Sequence, residues 1–397
     1  MGLVSFLVFL TPVVGHADDQ KRWDDYVKEG DYLTALDRVK GQREEIRFFY
    51  QITAWLNAIL GDEKSALKDY HYSIGLETVP VESYGEIEGG QQLTRASALI
   101  IRLARETNAI LVNEAHHVSQ HRSFMASLLP SLAEQGYRYF AVEALTLQSA
   151  QLLNDGGDLT WSAPLYVHDP MFAALLYTAR DLGFTIVAYE QTREQALDCS
   201  QCDRKQKRAK REKDQATNIF EQIFGRDPQA RAIVYAGFDH IHECEKPQDV
   251  AAMAAILKAR LKGDPLSIDQ ADTPFYQEAD KIPSAVLAME TTDDDACVDV
   301  KVHHPEPGYE AQRPRWLYKL PDRTTQLIDT SSVALDPPFL IRVRDADAAS
   351  DTIPADQVLV TGPGPYAVSI PTGRFVRVTA EHPPTQKVIE LQTIRLE

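Results

Sequence analysis

Between Asp18 and about Thr78, apolar residues recur at spacings of three and four: Tyr32, Leu33, Ala35 and Leu36, then Phe48, Phe49, Ile52, Trp55 and Leu56, then Ala66, Leu67 and Tyr70. That spacing predicts amphipathic helices. Gly30-Asp31 and Gly61-Asp62 each interrupt the run just before a new helix, and the interval between them resembles a tetratricopeptide helical pair. Two such units are fewer than a solenoid needs, so residues 18–85 are expected to pack on the rest of the chain as a TPR-like helical layer. The Pro-, Gly- and Glu-rich stretch 79–90 reads as a linker or surface loop.

Beyond it the rhythm changes. Helical patterns at about 93–107, 122–135, 170–182 and 193–224 alternate with short apolar strands at 109–112, 139–142, 185–189 and 232–236. Strands that are continuously apolar and separated by helices predict an α/β fold, a parallel sheet covered by helices on both faces, over residues 90–300. After about Pro265 the alternation fades, and 293–295 and 303–315 read as irregular surface. From Trp316 onward, alternating runs at 339–344, 357–360 and 374–378, separated by Gly and Pro, predict a C-terminal β-rich segment over 316–397.

Residues 1–17 change the expected compartment. They carry no charge and an apolar stretch from Leu3 to Val14, too short to span a bilayer, with Gly15 and Ala17 where a signal peptidase reads. We read a cleaved signal peptide and a periplasmic or secreted protein without stable membrane insertion. Export makes the four cysteines, Cys199, Cys202, Cys244 and Cys297, legible as two disulfides in any of three connectivities. Cys199 and Cys202 have the spacing of a redox or zinc pair, but there is no second such pair, so a structural disulfide is favoured. Lys plus Arg is 41 against Asp plus Glu 58, a formal net charge of -17, which disfavours nucleic acid and anionic membrane as partners. The basic run 205–213 reads as a solvated helix face.

Ligands of parallel sheets gather beyond the carboxyl ends of the strands. There the first strand delivers Asn113-Glu114-Ala115-His116-His117, with His121 and Arg122 following; the second ends at Glu143, the third at Glu190, and the fourth leads into Gly237-Phe238-Asp239-His240. Ionisable side chains arriving at one rim four times, each directly after apolar residues, need charged partners, because burying a lone carboxylate is costly. Glu114 with His117 is the sharpest pair, since a carboxylate can orient an imidazole for proton transfer. His116 competes with His117 for the inward direction, and His121 and Arg122 read equally as first-turn surface residues. Two His plus carboxylates suit zinc or manganese, although no HExxH helix is present. Neither a GxSxG elbow nor a nucleotide-binding glycine loop occurs.

The stretch 111–143, LVNEAHHVSQHRSFMASLLPSLAEQGYRYFAVE, resembles the erythromycin esterase-like proteins and their relatives, the ChaN-like haem-uptake and Tiki-type proteins. The shared layout is a strand, a Gly-Glu-x-x-His or Gly-Glu-x-His turn, a helix, and a strand ending in Glu. The resemblance implies Glu114 and His117 for the esterase-type turn, His116 for the ChaN-type spacing, Glu143 for the second acid and His240 for the late His. It also implies Arg211 at the start of an Arg-rich helix segment, 211–218. Asn113 stands where the family has Gly, and Phe238-Asp239 replace Asn-Ala.

These observations predict a hydrolase acting on a small-molecule or peptide substrate, with Glu114, His117, Glu143 and His240 catalytic and with His116, His121, Glu190 and Arg211 as further site candidates. Two alternatives stand beside it. One is a haem- or iron-binding uptake protein using the same rim as ligands. The other is a non-catalytic scaffold that meets a protein partner through its N-terminal helices. A divalent metal is compatible with the hydrolase, and haem with the first alternative.

Overall fold

The computed structural model describes residues 21–46, 48–83, 86–87, 93–143, 145–244, 250–277, 285–291 and 297–395. The expected signal segment at 1–17 and the acidic run at 293–295 lie outside them.

The N-terminal helices are α1 (Trp23–Val27), α2 (Tyr32–Gly41), α3 (Phe49–Ile59) and α4 (Glu63–Ser73). Asp31 and Asp62 cap α2 and α4, their side chains accepting from Thr34 N and Ser65 N, which explains why each Gly-Asp pair starts a helix. Gly61 stands at φ +72°, and a Cβ there would lie 2.4 Å from the Gln357 carbonyl oxygen, so this turn requires glycine. The layer docks on C-terminal strands: Arg342 Nη2 donates to Gly30 O at 2.6 Å and Leu359 N to Leu60 O at 2.8 Å, and Leu340 is buried among the helical residues. The apolar face of this helical layer is therefore covered by the chain itself.

Strand β1 (Val81–Ser83) pairs in parallel with β8 (Phe275–Gln277). Among the described residues the main sheet has eight strands: β2 (Thr94–Arg95), β3 (Ala109–Glu114), β4 (Tyr139–Val142), β5 (Thr185–Ala188), β6 (Ala232–Gly237), β7 (Leu266–Asp269), β9 (Leu287–Glu290) and β10 (Val300–His303). Their spatial order is β2-β9-β10-β7-β3-β6-β4-β5. The pairings from β10 to β5 are parallel, and β9 runs antiparallel between β10 and β2.

Helices α5 (Ala96–Leu103), α6 (Ser119–Glu134), α7 (Leu147–Asn154) and α8 (Pro170–Asp181) cover one face, burying Leu99, Leu128, Leu153 and Leu175 against Val112, Phe140 and Tyr235. The short α9 (Arg193–Leu197) precedes α10 (Arg204–Ile219). Helices α10 and α11 (Met253–Lys258) cover the other face, where Ile219, Met253 and Leu257 meet Leu111, Ala141 and Val234. The mixed α/β architecture is as expected.

Three details differ from the sequence pattern. The single helix expected over 193–224 is broken at 198–203, where a Cys199–Cys202 disulfide closes a turn and Asp203 starts a new capping box with Gln206. Helix α7 was not anticipated. The alternation also does not stop at 265: β7 inserts beside β3, its run broken by the polar Ser267 and Asp269 rather than continuously apolar.

The tail contains β11 (Tyr309–Glu310), β12 (Arg313–Pro314), β13 (Arg323–Asp329), β14 (Phe339–Asp345), β15 (Asp356–Val360), β16 (Pro365–Pro371), β17 (Phe375–His382) and β18 (Lys387–Arg395). A four-stranded sheet, β15-β14-β17-β18, and the β13-β16 ribbon enclose a separate apolar cluster around Ile341, Val343, Val368 and Val378. The second disulfide joins Cys244 to Cys297. Two disulfides fit an oxidising compartment. No helix among the described residues is long and apolar enough to cross a membrane.

Candidate active site

Alternation along β3 puts Ile110, Val112 and Glu114 on one face of the sheet, so the first charged residue of the strand emerges at its carboxyl end beside Tyr235 of β6. Glu114 is 1% exposed and fully bonded. Arg122 from the first turn of α6 grips it in bidentate fashion, Nε to Oε2 at 2.6 Å and Nη2 to Oε1 at 2.7 Å, and the Tyr235 hydroxyl donates to Oε2 at 2.9 Å. Arg122, completely buried, also donates to Asp169 at 2.6 Å, which in turn caps α8 through Met171 N. Burial opposes ionisation of Glu114, but the Arg122 guanidinium outweighs it and holds the carboxyl at about 2.

The other Oε1 partner decides which of two adjacent imidazoles belongs here. It is His116, whose Nδ1 stands 2.9 Å from Glu114 Oε1. The ring stacks on Tyr166, with centroids 4.1 Å apart, and meets the edge of Phe238. Its far side lies over Gly237: a Cβ on that glycine would be 2.6 Å from Nε2 and 3.3 Å from Glu143 Oε2. The His116 side chain is 14% exposed, and Nε2 makes no hydrogen bond with the described residues.

The expected pairing of Glu114 with His117 is corrected. His117 turns the other way and stacks on Tyr70 of α4, with centroids 3.7 Å apart, while Leu67 of the same helix packs against Ala115 and Val118. Burial keeps the His117 imidazole well below its ordinary value, so it is neutral. His121 also lies outside the cluster. Its Nδ1 accepts from Ala115 N at 3.1 Å, fixing the turn after β3, and its ring lies against His304.

A second group assembles from the opposite face of the sheet. Glu143, directly after β4, accepts from Gly237 N at 2.6 Å and from Arg211 Nη2 of α10 at 2.5 Å, and lies 3.3 Å from His240 Nε2. Arg211 also grips Glu190 through Nε and Nη2 at 2.9 and 2.7 Å, and Gln215, one turn on, donates to Glu190 at 3.0 Å. His240 Nδ1 bonds Glu212 at 2.7 Å. Burial pushes His240 down, but Glu212 and Glu143 outweigh it and raise it to about 10. Both ring nitrogens face carboxylates, so the site holds the imidazolium. The 3.1 Å approach of Arg211 Nη1 to Nε2 is then a contact of two cations held together by surrounding carboxylates.

Of the residues expected at the rim, Glu114, His116, Glu143, Glu190, Arg211 and His240 come together, and His117 and His121 do not. Arg122, which the sequence left equally open as a surface residue, completes the cluster together with Asp169, Glu212, Tyr166 and Tyr235, which were not singled out. The one available signal was Arg122, three positions into a helix after a buried strand end. No group of three or more His, Cys, Asp or Glu side chains among the described residues is arranged to hold a metal ion. The physical reason is visible: guanidinium groups occupy the positions between the carboxylates where a cation would sit, so a divalent metal does not fit this arrangement.

No protein-family model matches the chain, and no curated protein matches it. Solved structures do. The type III effector HopBA1 is 12% identical, aligned over 54% of this chain and 97% of its own, with a TM-score of 0.34. ChaN of Campylobacter jejuni, described with cofacial haem binding, is 9% identical over 53% of this chain and 92% of its own, with a TM-score of 0.32. RRSP, a MARTX toxin effector domain from Vibrio vulnificus, is 17% identical over 67% of this chain and 49% of its own, with a TM-score of 0.35. Likenesses at this level are distant and carry no functional argument.

Proposed function

We propose that the chain is an exported, periplasmic or secreted hydrolase that activates water with His116. The observation that carries this reading is the Glu114 Oε1 to His116 Nδ1 bond with Nε2 left unbonded on the partly exposed side. A carboxylate on Nδ1 fixes the tautomer that presents a lone pair at Nε2 and stabilises the imidazolium once that nitrogen takes a proton. Water deprotonated at Nε2 adds to the carbonyl carbon of an ester or amide. The imidazolium then returns its proton to the leaving alkoxide or amine as the tetrahedral intermediate collapses.

The surrounding charges support the step. Arg122 and Asp169 hold Glu114 ionised and rigid from one face of the sheet. From the other, Arg211 and the His240 imidazolium sit against Glu143, whose Oε2 approaches the same Gly237 position as His116 Nε2. Glu143, Glu190 and Glu212 balance both cations, which hold Glu143 fixed beside the His116 ring.

A panel of chromogenic esters and short peptides, assayed with the unchanged chain and with His116→Ala, tests the proposal. Hydrolysis that falls by about 10²–10⁴ in the variant is expected. No turnover of any ester or amide, as a haem-binding protein or a scaffold would give, or undiminished turnover in the variant, would reject it.

A further inference from the structure

Away from the His116 site, a cavity of about 690 Å³ lies between the outer side of α6, the strand-edge residues Ala285 and Val286, and the segment 305–321. That volume is in the range of small-molecule sites, roughly 300–1,000 Å³. Its walls are mainly apolar, with the half-buried Trp316 ring and prolines at 305, 307 and 321, and its rim is cationic. Lys64, Arg315 and Lys319 line it against the single carboxylate of Glu306, in a chain whose net charge is -17. Neither Lys64 nor Arg315 forms an ion pair with a described carboxylate, and the Arg315 side chain is laid across Gly308, where a Cβ would be 3.2 Å from its Cδ.

A second observation points to a ligand. Gln120, on the first turn of α6, lines the cavity and is only 6% exposed, yet its side-chain oxygen Oε1, an acceptor, has no hydrogen-bond partner among the described residues. Buried amides are ordinarily satisfied, and an unpaired one costs about 1–3 kcal/mol.

We propose that this cavity binds a small amphipathic carboxylate, its apolar body against Trp316 and the prolines and its head group held by Lys64 and Arg315. A guanidinium matches the fork of a carboxylate. Gln120 Oε1 accepts from a hydroxyl or N–H carried on the ligand's body, since a carboxylate has no proton to give it. The site is independent of the hydrolytic one, since it uses none of the residues around His116.

Calorimetric titration of the full chain with sodium decanoate, and separately with 1-decanol, tests it. Saturable one-to-one binding of decanoate is expected, about tenfold tighter than decanol and weakened about tenfold by the Lys64→Glu/Arg315→Glu pair, corresponding to the loss of two charged contacts. Trp316→Ala probes the same site from its apolar side and should also weaken decanoate binding. The proposal is overturned if decanoate does not saturate, if decanol binds as tightly, or if a folded variant of either kind binds decanoate as the unchanged chain does.

Discussion

Glu114→Gln isolates the charge that organises the site while leaving its shape. The side chain is buried against Arg122, so the substitution turns a bidentate ion pair into a neutral amide facing a guanidinium whose remaining partners are Asp169 and the His116 carbonyl. A carboxyl held at about 2 in the folded chain, against an ordinary 4.5, contributes about 3 kcal/mol at neutral pH. That agrees with the roughly 3–5 kcal/mol lost when one partner of a buried pair is removed. The folded value is depressed, so this stability is present above 4.5 and is lost as pH falls through the window from 4.5 to about 2. Urea unfolding at pH 7 should therefore place Glu114→Gln about 3 kcal/mol below the unchanged chain. The gap should narrow as the titration is repeated towards pH 3. An unfolding free energy unaltered at pH 7, or a gap that does not depend on pH, would refute the argument that Arg122 holds Glu114 ionised in the core.

Other substitutions probe separate links. Gly237→Ala places a Cβ 2.5 Å from His116 Cε1; the ring can swing aside, so the chain should fold normally while kcat/KM falls about 10²-fold, as measured with any ester or amide the unchanged chain hydrolyses. His240→Gln should destabilise most below pH 6.5. Its folded value is raised, so the stabilisation is fully present below 6.5 and is lost as pH rises to about 10, and unfolding free energies of the two chains should converge over that range. Replacing Cys244 and Cys297 by Ser removes a link across 53 residues and should cost about 4 kcal/mol, against about 1.5 kcal/mol for Cys199 and Cys202, whose separation is 3; urea titration of both double variants distinguishes them.

The α/β alternation was legible because β3, β4, β5 and β6 are continuous apolar runs, buried on both faces, with helices of ordinary length between them. Strands β7, β9 and β10 were not, because Ser267 and Asp269, Glu290, and Lys301 and His303 break their apolar runs. Counting ionisable residues at strand ends located Glu114, Glu143, Glu190 and His240 in one cluster, since strand direction alone brings them there. Choosing between His116 and His117 was beyond that count. The turn after β3 abandons the alternation of the strand, and the direction of each ring is set by residues far away in the chain, Tyr166 for one and Tyr70 of α4 for the other. Arg122 read equally as a rim residue and as a surface cation, because a buried guanidinium is tolerable only where carboxylates surround it, and Asp169 is 47 residues distant. Asp169 caps the helix that begins at Pro170, and nothing in its sequence position showed that its second oxygen would serve Arg122.

The account rests most heavily on His116 acting as the base. Steady-state kcat/KM for His116→Ala and His117→Ala on the same ester or amide tests this directly. The geometry predicts a loss of about 10²–10⁴ for His116→Ala and a change of no more than a few-fold for His117→Ala. A large loss confined to His117→Ala would contradict it.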